Sequence, residues 1–163
     1  QAAKTMNFLT EHGISNYGEL ESKLTAVSAR RDTAHAEIKR IESRSAELTL
    51  VMKHAETYRQ LKPIYDRYRK SNNKEKFLRG HESEIILFEA AARELKRLGT
   101  VPLPTTESMK TELANLAAER ERLLAEYKAA RSAVQEYETV KQNVDALLAV
   151  PKEQEQQRRH ELE

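Results

Sequence analysis

The sequence predicts an all-α chain: a long antiparallel helical hairpin of coiled-coil type with a small helical subdomain at its tip. Three observations predict it. Two long stretches carry apolar residues that step alternately by three and four. The four glycines and four prolines of the 163 residues fall at a few points, and none interrupts the first stretch between Glu19 and Lys62. Charged side chains make up 33% against 6% aromatics, with a mean hydropathy of -0.78. That balance suits helices that bury one stripe and leave the rest wet, and is poor in material for a compact globule.

The first residues read as a short helix in which Ala2, Met6 and Leu9 share a face, stopped by Gly13 after His12. A second start follows, with Asn16 as cap and Glu19 at capping-box spacing. From there runs the first seam: Tyr17, Leu20, Leu24, Val27, Arg31, Ala34, Ile38, Ile41, Ser45, Leu48, Met52 and Ala55. A three-four repeat sustained this long is a heptad pattern. Pro63 interrupts it, by a kink or a restart, because proline cannot donate to the carbonyl four residues back. Helical character continues to Lys70, and Ser71-Asn72-Asn73 is a break in which Asn72 and Glu75 stand at capping-box spacing. A short helix through Phe77 and Leu78 ends at Gly80. The next, from about Glu82 to Leu98, is apolar on several sides (Ile85, Ile86, Leu87, Phe88, Ala91, Ala92, Leu95, Leu98) and should be the most buried. Gly99 stops it.

Two prolines make 100–104 extended, and Thr105 or Thr106 caps the last long helix. Its seam is Met109, Leu113, Leu116, Arg120, Leu123, Tyr127, Ala130, Val134, Tyr137, Lys141, Val144 and Leu148, with Pro151 at its end. The expected organisation is one elongated domain over 1–151 (short helix 2–12, long arm 16–62, helical tip 63–104, long arm 105–149) and a frayed or disordered tail, 152–163. At ~1.5 Å per residue each arm spans roughly 60 to 70 Å. The first helix should pack near Val144 and Leu148. The opening Gln1-Ala2-Ala3-Lys4 is mid-helix in character, as in an excised piece, and Leu162-Glu163 reads as a cloning remainder.

Composition and spacing point away from catalysis. There is no cysteine, hence no disulfide framework and no thiol chemistry, which fits a reducing, cytoplasmic setting. His12, His35, His54, His81 and His160 include no pair at metal-ligand spacing, and HExxH, Gly-rich phosphate loops and GxSxG are all missing. Neither a metal nor a cofactor is expected. No apolar run approaches a membrane span, and no signal segment precedes the first helix. Arg31, Arg120 and Lys141 interrupt the seams. Their stems can cover apolar neighbours while their heads reach water, or they can set register.

One stretch has a functional look. Between Tyr58 and Arg79 stand Arg59, Lys62, Arg67, Arg69, Lys70, Lys74, Lys76 and Arg79, opposed by Asp66 and Glu75 alone, with Tyr58, Tyr65, Tyr68 and Phe77 interleaved. Cations neutralise phosphates and aromatic faces stack on unpaired bases. The candidate nucleic-acid-binding residues are therefore Arg59, Lys62, Tyr65, Arg67, Tyr68, Arg69, Lys70, Lys74 and Lys76. The alternative is a solvated basic face whose tyrosines pack the tip and whose charge Glu82, Glu84 and Glu89 offset.

The wording of the chain adds a resemblance. Residues 3–14 (AKTMNFLTEHGI) with 16–20 (NYGEL), 65–70 (YDRYRK), 76–78 (KFL), 81–87 (HESEIIL), 103–105 (LPT) and 143–148 (NVDALL) resemble the C-terminal part of relaxases, the mobilisation proteins of conjugative and mobilisable elements in Gram-positive bacteria. The resemblance covers nearly the whole chain to about Leu148. It implies a parent protein whose N-terminal nuclease domain nicks the transfer origin with a tyrosine nucleophile and a histidine-bound divalent metal. None of those motifs matches here, so the resemblance implies the non-catalytic helical segment downstream. Implied partners are DNA through the parent protein, proteins of the transfer complex, or a second copy. Two functions follow: a DNA-processing accessory with a basic tip, or a structural scaffold and partner-docking module.

Overall fold

The computed structural model describes residues 1–162, with the side chains of all but 150–153. Among them every regular element is an α-helix: α1 (Ala2–Glu11), α2 (Tyr17–Lys70), α3 (Lys74–Arg97) and α4 (Thr106–Glu161). The chain divides into two compact units. One holds residues 1–38 with the chain from 121 onward, and the other holds 39–120.

In the first unit, Leu20, Tyr137 and Val140 form a buried core, and Phe8, Leu9, Ile14, Leu24, Val27, Ala133 and Val144 pack around it. Tyr17 donates to Asp145 across 2.7 Å, and the His35 ring lies 5.9 Å from Tyr127, so α2 and α4 run antiparallel here. The expected contact of α1 with Val144 is present. Of the expected face, Leu9 packs on this core but Ala2 and Met6 do not. Met6 is 59% exposed, and Thr5 is 2% exposed in its place. The reason is polar: the Thr5 hydroxyl accepts from the Asn143 amide and donates to the carbonyl of Gln1, so a buried oxygen is satisfied. Phe8, on the same face, meets the Tyr137 ring edge-on at 5.2 Å. Leu148 remains 56% exposed.

The helix ends follow local rules. Gly13 takes φ 62, which lets the N–H groups of Ile14 and Gly13 reach the carbonyls of Leu9 and Thr10 in a Schellman motif. Gly99 (φ 70) repeats this with Thr100 and Leu95. Asn16 caps α2 by accepting from Glu19 N–H, while Glu19 accepts from Ser15 N–H. Thr105 caps α4 by accepting from Ser108 N–H.

The second unit packs Ile41, Leu48, Val51 and Ala55 of α2 with Ile85, Phe88, Ala91 and Leu95 of α3 and Met109 and Leu116 of α4. Arg44 pairs with Glu112 at 2.7 Å and Arg120 with Glu42 at 3.1 Å, again an antiparallel order. Arg120, an anomaly in the seam, is thus half-buried and salt-bridged between helices, a contact tied to one register. Arg31 pairs with its neighbour Asp32, and Lys141 stands 5.9 Å over the Tyr17 ring.

Of the two outcomes open at Pro63, a restart does not occur: α2 runs through it, and the residue is exposed, so the carbonyl left without its N–H partner can be hydrated. The cap of α3 is Asn73, not Asn72: its side chain accepts from Lys76 N–H at 3.1 Å. The break expected between Gly80 and Glu82 is present as a kink in α3 at His81 (φ -136, ψ 25). α3 buries Ile85, Phe88, Ala91 and Leu95, while Ile86 and Leu87 are 54% and 55% exposed. Helix also continues past Pro151 to Glu161, where a frayed tail is expected, and its side chains from Gln154 onward to Leu162 are exposed. Glu163 lies outside the described residues.

Candidate nucleic-acid interface

The basic stretch spans the last turns of α2, the turn 71–73 and the first turns of α3, all within the second unit. Folding sorts its residues into three groups.

Arg59 and Lys62 are committed to the protein. The Arg59 guanidinium donates to the Pro104 carbonyl and, at 2.9 Å, to the Thr106 hydroxyl, tying α2 to the start of α4. Lys62 donates to Asp66 at 2.9 Å, one helical turn on, and that hydrogen bond raises its ammonium pKa above the usual lysine value.

The aromatics form a chain of ring contacts. Phe88 stacks with Tyr58 at 4.8 Å and with Tyr65 at 4.3 Å. Tyr65 and Tyr68 are 6.0 Å apart, Tyr68 and Phe77 6.1 Å, and Phe77 stacks on His81 at 4.6 Å. The Arg67 guanidinium stands 6.0 Å over the Phe77 ring, a cation–π distance. His81 also lies 2.6 Å from the Glu84 carboxylate, so Glu84 has a local partner. The tyrosines and Phe77 are half-buried and join α2 to α3.

The third group is the set of cations without partners. Among the described residues Arg69, Lys70, Lys74, Lys76 and Arg79 are exposed and make no ion pair or side-chain hydrogen bond. Arg67, Arg69 and Lys70 occupy the last turn of α2, where positive charge complements the helix dipole. Lys74 and Lys76 sit in the first turn of α3, where the dipole disfavours it. Local helix chemistry therefore accounts for the first trio and not for the second pair.

The structure thus brings together seven of the nine candidate residues at the α2–α3 corner and assigns Arg59 and Lys62 elsewhere. It adds Arg79, which charge counting includes, and His81, which only its place after Gly80 could have signalled. Among the described residues no cluster of histidine and carboxylate side chains could hold a metal ion, and no helix is long and apolar enough to cross a membrane. Comparison with known proteins gives no matching family model, no matching curated protein and no matching solved structure.

Proposed function

We propose that this chain is a helical binding module of a relaxase-type mobilisation protein, and that its α2–α3 corner contacts the single-stranded DNA that such a protein handles. One observation carries the DNA contact: five exposed, unpaired basic side chains on either side of the α2–α3 turn, two of them placed against the local helix dipole. Local rules broken without local compensation mark sites kept for another purpose. The assignment to the relaxase family rests on the sequence resemblance alone.

Fluorescence anisotropy of the 163-residue chain with a labelled single-stranded oligonucleotide tests the reading. Binding at low salt, lost when Arg69, Lys70, Lys74 and Lys76 are changed together to Glu, supports it. Absence of binding at low salt rejects it.

A second reading has its own observation. Ile86 and Leu87 expose apolar side chains next to one another on α3, as a docking surface for a transfer-complex protein or a second copy would. Sedimentation of the chain alone, with and without Ile86→Asp and Leu87→Asp, tests the second-copy form. A concentration-dependent dimer abolished by the pair would favour scaffolding over DNA contact as the main role.

A further inference from the structure

At the α2–α3 corner the cations are unpaired, whereas the rings are engaged with one another. Phe88, 5% exposed, is stacked with both Tyr58 and Tyr65, at interplanar angles of 28° and 24°. Phe77 has His81 stacked on it and the Arg67 guanidinium above its ring. Tyr68 has Tyr65 and Phe77 beside it at tilted angles, 6.0 and 6.1 Å away. A nucleobase stacks only on an open ring face, and a base on the stacked faces of Tyr58, Tyr65, Phe77 or Phe88 would have to displace the ring already there. The tyrosine hydroxyls are different. Those of Tyr65 and Tyr68 have no hydrogen-bond partner among the described residues, and no buried side-chain polar atom is left unsatisfied, so both reach solvent. A phenolic O–H can donate to a phosphate oxygen as ammonium and guanidinium groups do.

From this we infer that the corner recognises the phosphodiester backbone and leaves the bases unread. Arg69, Lys70, Lys74, Lys76 and Arg79 supply the charge, and Tyr65 and Tyr68 supply neutral donors. The inference rests on the DNA-contact reading above and narrows it to one chemistry. Its ligand is any flexible phosphodiester chain, whatever its bases.

The test compares oligothymidylate with an abasic phosphodiester strand of the same length, by anisotropy at one low salt concentration. The two should bind with dissociation constants within about twofold, because no stacked base is lost. Tyr65→Phe and Tyr68→Phe, which keep the rings and remove the hydroxyls, should weaken both strands equally, by about twofold to fivefold for one neutral hydrogen bond each. If the abasic strand binds tenfold or more weakly while oligothymidylate binds well, the backbone inference falls and the DNA-contact reading stands, about tenfold being the loss of one stacked base. If neither strand binds, the DNA-contact reading falls and takes the inference with it.

Discussion

Arg59 and Arg69 are both exposed arginines of α2, yet they have different surroundings. Arg59 spends its guanidinium on Pro104 and Thr106, whereas Arg69 has no partner among the described residues. Arg59→Ala should therefore destabilise the chain by ~1 kcal/mol, the net worth of a hydrogen bond or two near the surface, and leave DNA affinity within about twofold. Arg69→Ala should do the reverse, with stability unchanged and affinity lowered. Urea denaturation and anisotropy on the two variants check this. The carboxylates give a pH prediction. A hydrogen bond from Arg120 lowers the pKa of Glu42, and one from Arg97 lowers that of Glu94. A carboxylate whose folded-state pKa lies below its unfolded value stabilises the fold above the unfolded pKa, and that stabilisation is lost as pH falls through the folded pKa. Both groups are half-exposed and screened by solvent, so the effect is modest. Denaturation midpoints should fall below about pH 4, and less so in Glu42→Gln, which already lacks the charged pair.

At the scale of the element, α2 and α3 make contrasting predictions. Pro63 sits inside an unbroken α2 and is exposed, so Pro63→Ala restores a helix donor without disturbing packing. It should stabilise the chain, by up to ~3 kcal/mol. A fall in stability would mean that proline's stiffening of the unfolded chain outweighs the missing hydrogen bond. Phe88 is the buried ring between Tyr58 and Tyr65, and Phe88→Ala should cost ~3–5 kcal/mol, seen as a lowered urea midpoint. Much of this element structure was legible in the sequence. Most buried residues of α2 and α4 fall on the heptad series, with Val51 and Val140 buried one position before Met52 and Lys141, and the stops at Gly13 and Gly99 and the caps Asn16 and Thr105 are where local chemistry puts them. α3 was less legible for a physical reason. Ile85-Ile86-Leu87-Phe88 is a continuous apolar run, and a continuous run carries no period to say which side faces inward. Thr5 was hidden similarly, since its burial depends on an amide at Asn143, far away in sequence.

At the scale of the whole molecule, the all-α fold and the antiparallel order of α2 and α4 in each unit follow from two seams separated by turn residues. The candidate site was half legible. Charge counting found the basic stretch, but composition cannot say which cations will be consumed by neighbours or which aromatic faces will be covered. Those facts depend on Pro104, Thr106, Phe88 and His81, residues outside the candidate set. What remains after folding is a patch of five cations, and its charge is the central claim. The salt dependence of single-stranded DNA binding measures it directly. With all five engaging phosphates, log affinity against log salt should have a slope of about -3.5, at about -0.7 per phosphate contact. Changing Lys74 and Lys76 to Ala should flatten it by about 1.4. A slope near zero, or one that the two substitutions leave unchanged, would contradict the account.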